Sequence, residues 1–169
     1  MAAHQTLIDT LRHTLATHAN AAQAGPMQAY MKSALPFHGV QTPQRRQLVT
    51  QVAALHPLPD TATLADTVLA LWRGATHREE RYAALDLLRL PRQRKLLNTA
   101  LLPALQEMVV SGAWWDHCDE ISGVALPHLL QAEPAVMKPV LRQWAHGHDL
   151  WLRRAAMLSQ RCIKKGFDA

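Results

Sequence analysis

Residues 113 to 119 read Ala-Trp-Trp-Asp-His-Cys-Asp, and Trp-Leu-Arg-Arg follows at 151 to 154. Aspartate is costly to bury and tryptophan costly to leave in water, so two adjacent tryptophans interleaved with two carboxylates are poorly explained by core packing alone. On a helix Trp115 and Asp119, four apart, share one face and set an aromatic wall beside an anionic oxygen. An indole face attracts cations by roughly 0.5–2 kcal/mol, and a fixed anion beside it adds to that attraction. From these residues alone a plain alternative stays open, with Trp115 in a core and Asp119 an ordinary surface acid paired with Arg154.

Other chemistries find less support. His117 with Cys118 and Asp119, or His146 with His148, are conceivable metal ligands, but helix neighbours one apart point in different directions and no four-ligand set has familiar spacing. No metal site is therefore expected. There is no Gly-rich phosphate loop and no Ser-centred nucleophile elbow. The two cysteines, Cys118 and Cys162, lack disulfide or zinc spacing and fit a reduced, cytoplasmic compartment. The N-terminus carries no basic, apolar leader, and the charge-free stretch 121–132 is too short to cross a bilayer, so neither signal peptide nor membrane partner is expected.

The charge is more telling. The 169 residues carry a formal net charge of +5, and between 138 and 165 Lys138, Arg142, Arg153, Arg154, Arg161, Lys164 and Lys165 face Asp149 alone. Arg89, Arg92, Arg94 and Lys95 form a second acid-free cluster. Such clustering suits a polyanion, nucleic acid or an anionic membrane surface, although solvated basic helix faces are common.

The elements that must position these residues are helices. With 49% hydrophobic residues the chain can bury a sizeable core and is most simply one domain, 1–169. Leu7, Ile8, Leu11 and Leu15 recur at helical spacing, and Gly25-Pro26 is expected to break the chain before a short segment with Met27, Tyr30 and Met31. Thr42 reads as a cap with Pro43 at the first helical position, ahead of Leu48, Val49, Val52 and Leu55; Arg45 and Arg46 are expected to be exposed. Asp60 is expected to cap a helix burying Leu64, Val68, Leu69 and Trp72. Thr76 to Glu79 reads as a capping box before Tyr82, Leu85 and Leu88.

In the second half Leu96, Leu97, Leu101, Leu105 and Met108 form a stripe that Pro103 either kinks or divides. Gly112 precedes the helix of the Trp-Trp-Asp cluster, whose buried face should hold Cys118, Ile121, Ala125 and Leu129, with Pro127 bending or ending it. A helix from Pro134 stops at Gly147, and Asp149 caps the one carrying Trp151 and Arg154. Trp72, Trp144 and Trp151 are expected to pack between helices. The pattern is all-α, and periodicity does not choose between an α-solenoid of antiparallel pairs and an irregular bundle.

Taken with Met-Gln-Ala-Tyr-Met-Lys at 27 to 32 and Phe-His-Gly-Val-Gln-Thr-Pro-Gln-Arg-Arg at 37 to 46, the Trp-Trp-Asp-x-x-Asp and Trp-Leu-Arg-Arg strings resemble the AlkD-type DNA alkylation repair glycosylases, in the same order and from about residue 20 to the end. The resemblance implies a solenoid of HEAT-like helix pairs with a concave basic face, acting as a monomer on duplex DNA containing alkylated bases, without cofactor. It implies hydrolysis of the N-glycosidic bond of cationic N7- and N3-alkylated purines, such as 7-methylguanine and 3-methyladenine. The alternative is a non-catalytic helical-repeat module that binds DNA or protein.

In that family the second tryptophan and second aspartate of the motif are the functional pair, which carries over to Trp115 and Asp119. Arg154 matches the arginine that contacts the DNA backbone near the lesion; Arg153, Trp114, Lys164 and Lys165 join it as expected DNA-contacting residues. Trp114 and Asp116 flank the site, packing against it and capping the helix. No lysine stands in a family motif for Schiff-base chemistry, which implies a glycosylase without strand cutting. Related chains continue for several more helices beyond the position of Ala169. A later aromatic lining the site and the solenoid's end cap are therefore expected to be missing, leaving apolar surface.

Overall fold

The computed structural model describes residues 2–161. Among them there is no strand, and the all-helical expectation holds. No helix is long and apolar enough to cross a membrane. The chain forms two compact units, residues 1–90 and 91–169.

The first unit contains α1 (Gln5–Thr17), α2 (Ala21–Met31), α3 (Thr42–Leu55), α4 (Thr61–Arg73) and α5 (Arg78–Arg89). Its core holds Leu7, Ile8, Leu11 and Leu15 from α1, Leu48, Val49 and Val52 from α3, Leu64, Val68, Leu71 and Trp72 from α4, and Leu85 and Leu88 from α5; Leu71 takes the place expected of Leu69, which is only half-buried. The Asp60 carboxylate caps α4 by accepting from the Thr63 N–H at 2.7 Å.

Several expectations are corrected here: Thr42 is the first residue of α3, with Gln41 at the cap and Pro43 second, and Leu55 at the end of that helix is exposed. Gly25-Pro26 does not break the chain, because α2 runs through it with Pro26 in the helix interior, at the cost of one i→i−4 backbone bond. The capping box lies one residue later, on His77 and Glu80. The displaced Glu79 is fully buried and accepts the backbone N–H groups of His38, Gly39 and Val40 at 3.0, 2.8 and 3.1 Å. That wrap needs glycine at 39, whose φ is +87° and whose missing Cβ would lie 2.1 Å from the Asn20 carbonyl. Arg45 is not exposed; it is 5% accessible and its Nε donates to Asp86 at 2.7 Å, with the guanidinium 4.7 Å from the Tyr82 ring centroid.

The second unit begins with a 3-10 helix, Pro91–Leu96, and another at Thr99–Leu101, followed by α6 (Leu102–Gly112), α7 (Trp115–Gly123), α8 (Ala125–Ala132), α9 (Pro134–His146) and α10 (Leu150–Leu158). Pro103 starts α6 rather than kinking it, where its missing N–H is one of the donors a helix start leaves unbonded anyway. Val124 separates α7 from α8, leaving Pro127 in the first turn of α8; the predicted face of Cys118, Ile121, Ala125 and Leu129 is buried across that break. Glu133, between α8 and α9, accepts from the Thr99 N–H and hydroxyl, both at 3.0 Å, which anchors the start of α6.

Candidate active site on α7 and α10

The two sequence clusters meet inside the second unit because α7 packs on α10. The approach to α7 is sharp. Ala113 adopts the left-handed conformation with φ 39°, turning the chain out of α6, and Trp114 is extended at the N-cap of α7. Trp115 is therefore the first helical residue and Trp114 points back to a different neighbour: its ring lies 6.4 Å from that of Trp151, tilted by 43°. The Trp114 indole N–H is buried and bonds no partner among the described residues. Trp115 is 42% exposed. The adjacent tryptophans thus divide their work, one packing and one facing solvent.

α10 is held in place from its N-terminus. The Asp149 carboxylate accepts from the Trp151 and Leu152 N–H groups at 2.9 and 2.8 Å, and the Cys118 thiol donates to the Trp151 carbonyl at 3.4 Å, tying the middle of α7 to the first turn of α10. Burial pushes the Cys118 thiol up to about 11, so it is neutral at physiological pH and acts as a packing group.

With the helices so fixed, Arg154 meets Asp119. Arg154 Nε donates to Asp119 Oδ1 at 2.6 Å and Nη2 donates to Oδ2 at 2.8 Å, a two-bond fork. The Asp119 hydrogen bonds hold the Arg154 guanidinium above its usual range. The pair is half-buried, with 40% of the arginine and 31% of the aspartate side chain accessible. Each carboxylate oxygen accepts one of these bonds and keeps a lone pair for a further donor. Asp119 lies one turn along α7 from Trp115, so the exposed indole and the carboxylate share a face. Arg154 lies on the α10 face that also exposes Leu150 and Met157.

The other expected site residues have different settings. Arg153 Nη1 donates to the Gly147 and His148 carbonyls at 3.1 and 3.2 Å, closing the end of α9. The Asp116 carboxylate accepts from the His117 N–H at 2.8 Å in the first turn of α7. Lys164 and Lys165, like Cys162, lie outside the described residues. Arg92, Arg94 and Lys95 on the first 3-10 helix are exposed, as are Arg142 and Arg161. The sequence reading missed the Trp114–Trp151 contact and the Cys118–Trp151 tie. A thiol on the buried stripe and an aromatic in each cluster were the available hints.

The group of potential metal ligands among the described residues is one the sequence reading did not single out: His38, His77 and Glu80, with ligand atoms within 4.8 Å of one another. The two imidazoles stack face to face, 3.7 Å between centroids and 13° between planes, so their in-plane lone pairs run side by side instead of converging on a common point. Glu80 is already engaged, with Oε2 accepting from Arg12 Nε at 2.9 Å and Oε1 from the Thr76 hydroxyl and the His77 N–H at 2.7 and 3.2 Å. The cluster is organised as the cap of α5. Burial, then the neighbouring His77, lower the His38 imidazole below its ordinary value, which favours the neutral stacked form.

The whole of this arrangement lies within residues 11–169, which match the family model described as DNA alkylation repair enzyme. A solved structure described as a predicted DNA alkylation repair enzyme from Enterococcus faecalis superposes with a TM-score of 0.74 at 25% identity, covering 86% of this chain and 67% of that one. None of the curated proteins matches the chain.

Proposed function

The chain belongs to the DNA alkylation repair enzyme family, and from that premise we propose that it is a monofunctional DNA glycosylase releasing cationic N7- and N3-alkylated purines from duplex DNA. The observation that carries this reading is the carboxylate of Asp119, held by two bonds from Arg154 and one helical turn from the exposed indole of Trp115. A carboxylate so oriented costs no reorganisation when charge develops beside it.

The chemistry asks for one anion. Glycoside hydrolysis ordinarily uses two carboxyl groups, one of them an acid that protonates the leaving oxygen. A purine alkylated at N7 or N3 is already positive and leaves without protonation. As the glycosidic bond breaks, positive charge passes to the deoxyribose; Asp119 stabilises it and orients or deprotonates the attacking water through its remaining lone pairs. The Trp115 ring face favours the same cationic sugar. Arg154, Arg153, Trp114, Lys164 and Lys165 are the proposed DNA-contacting set, assisted by the exposed cations at 92–95. The charge of the leaving base does the work that a Lewis acid or second acid would otherwise do, so no metal or organic cofactor enters the scheme.

A non-catalytic helical-repeat module binding DNA or protein is the second reading, and the specific observation in its favour is that Asp119 already has an ion partner. Incubating the purified chain with methylated duplex DNA and identifying the free bases separates the two. The glycosylase reading predicts release of 7-methylguanine and 3-methyladenine, unchanged by chelators. A folded chain that binds the duplex and releases no base establishes the module instead.

A further inference from the structure

We propose that the stacked imidazoles of His38 and His77 form an acid-sensitive latch for the first turn of α2, closed while at most one ring carries a proton and opened when both do. The latch stands apart from the glycosylase reading, since all its residues belong to the first unit and none to α7 or α10.

The start of α2 leans on this joint. Met31, its last residue, is the buried one, and the helix begins among exposed alanines. Its first turn is held by residue 38 instead: the Asn20 N–H, at the N-cap, donates to the His38 carbonyl at 2.8 Å, and Gly39 lies against the Asn20 carbonyl and the Ala24 N–H. His38 is in turn fastened to α5. Its own N–H donates to Glu79 at 3.0 Å, and its ring lies 3.7 Å from that of His77, the cap of that helix. Phe37 and Val40 on either side are buried, so the His38 joint can open while the connection between α2 and α3 stays anchored.

The charges around the pair admit one proton and oppose two. Facing it from α5 are Glu79, whose carboxylate accepts three backbone N–H groups, and Glu80, 3.8 Å from His77 Nδ1 and paired with Arg12 of α1. Arg78 of α5 turns to the Tyr82 hydroxyl, and Arg45 and Arg46 of α3 turn to Asp86. Tyr30 of α2 and Lys32 after it are exposed. A single imidazolium is balanced by the two carboxylates and stacks on a neutral ring. A second sets two like charges at stacking distance, with both carboxylates already engaged. Burial, then His77, hold the His38 imidazole below its ordinary value of 6.5, against the pull of Glu79 and Glu80. Folding thus favours neutral His38, so its contribution to the joint is complete above that value and is lost as pH falls below it. When the rings separate, the His38 carbonyl leaves Asn20 and the first turn of α2 loses its anchor.

The test follows the full chain by NMR from about pH 7.5 to about pH 5, reading the His38 and His77 ring signals and amide exchange corrected for intrinsic rates. As both rings become protonated, protection at Asn20 should fall about tenfold, the scale for a ring that binds its proton about ten times more weakly in the closed joint, while Val68 and Leu71 in α4 keep theirs. His38→Gln and His77→Asn each leave one titrating ring, and asparagine retains a capping side chain. In both variants protection at Asn20 should be independent of pH over the same range. The latch is overturned by constant protection at Asn20 while both rings titrate, by a His38 ring still neutral at the acid end, or by an equal loss at Val68 and Leu71. An acid-dependent loss in the variants that matches the parent's overturns it too, and the parent's own titration and exchange decide if a variant does not fold.

Discussion

Replacing each of the two adjacent tryptophans by alanine should separate stability from chemistry. Trp114 packs on Trp151 with its indole nitrogen buried, whereas Trp115 is 42% exposed at the first position of α7. A fully buried tryptophan truncated to alanine costs about 3–5 kcal/mol, and a half-buried one with an aromatic partner about 2–3 kcal/mol. In a chain of this length each kcal/mol moves the melting temperature by about 2–4 °C, so Trp114→Ala should melt roughly 5–10 °C lower. Trp115→Ala removes little buried surface and places a good helix former at the helix start; its melt should stay within about 0.5–1 kcal/mol of the parent. On the proposed mechanism it should lose the attraction of an indole for the cationic sugar, about 1–2 kcal/mol, which corresponds to roughly tenfold in rate. Differential scanning calorimetry and single-turnover excision of 7-methylguanine at saturating protein read the two effects separately. The division of labour is refuted if Trp115→Ala melts like Trp114→Ala, or if Trp114→Ala keeps the parent's melt while Trp115→Ala keeps its rate.

Further outcomes follow from the same structure. Asp149→Ala removes the acceptor of two N–H groups at the start of α10 and should destabilise by about 1 kcal/mol, read as a lower denaturant midpoint with an unchanged slope. Glu79→Ala strands three backbone donors, two of whose bonds are fully buried, and Gly39→Ala drives a Cβ into the Asn20 carbonyl; each should cost about 3 kcal/mol or more, measured by urea titration. With Cys162→Ser as background, Cys118 should react with a thiol reagent at pH 8 at least about a hundredfold more slowly in the folded chain than in urea, since about one thiol in a thousand is ionised. Because folding raises this thiol from 9.0 to about 11, its contribution to stability is intact below the lower value and is lost as pH rises through the upper one, so the melt should fall across that window. Uracil and hypoxanthine, neutral leaving bases with no acid to protonate them, should remain in the duplex when product bases are chromatographed.

What the sequence disclosed depended on whether a signal was local. The apolar stripe of α1, most of those of α3 and α4, the caps at Asp60 and Asp149 and the stop at Gly147 each rest on a few neighbouring residues and stand, while Leu55 at the end of α3 is exposed and Leu69 of α4 is half-buried. The shared face of Trp115 and Asp119 follows from helical spacing in the same way. Arg45 was misread because its partner, Asp86, is forty-one positions away, and a buried ion pair looks like two surface charges in one dimension. Glu79 and Glu80 were interchanged for a similar reason: both fit a capping pattern locally, and only the loop at 38–40 decides which one turns inward. The Asp119–Arg154 bond was named as an alternative to catalysis, but its fork geometry depends on how α10 is anchored by Asp149 and Cys118, which no spacing rule contains.

The most direct test of the central claim is single-turnover excision of 7-methylguanine by Asp119→Asn at saturating protein, with its melt and its affinity for the same duplex measured alongside. Asparagine keeps the shape and one acceptor for Arg154 but removes the charge that opposes the sugar's developing cation. Excision should fall by about a hundredfold or more, while the duplex is held as tightly as by the parent or more tightly, as repulsion from phosphate is relieved. A folded Asp119→Asn protein that releases the base at the parent's rate would contradict the account, and catalysis by this carboxylate would have to be abandoned.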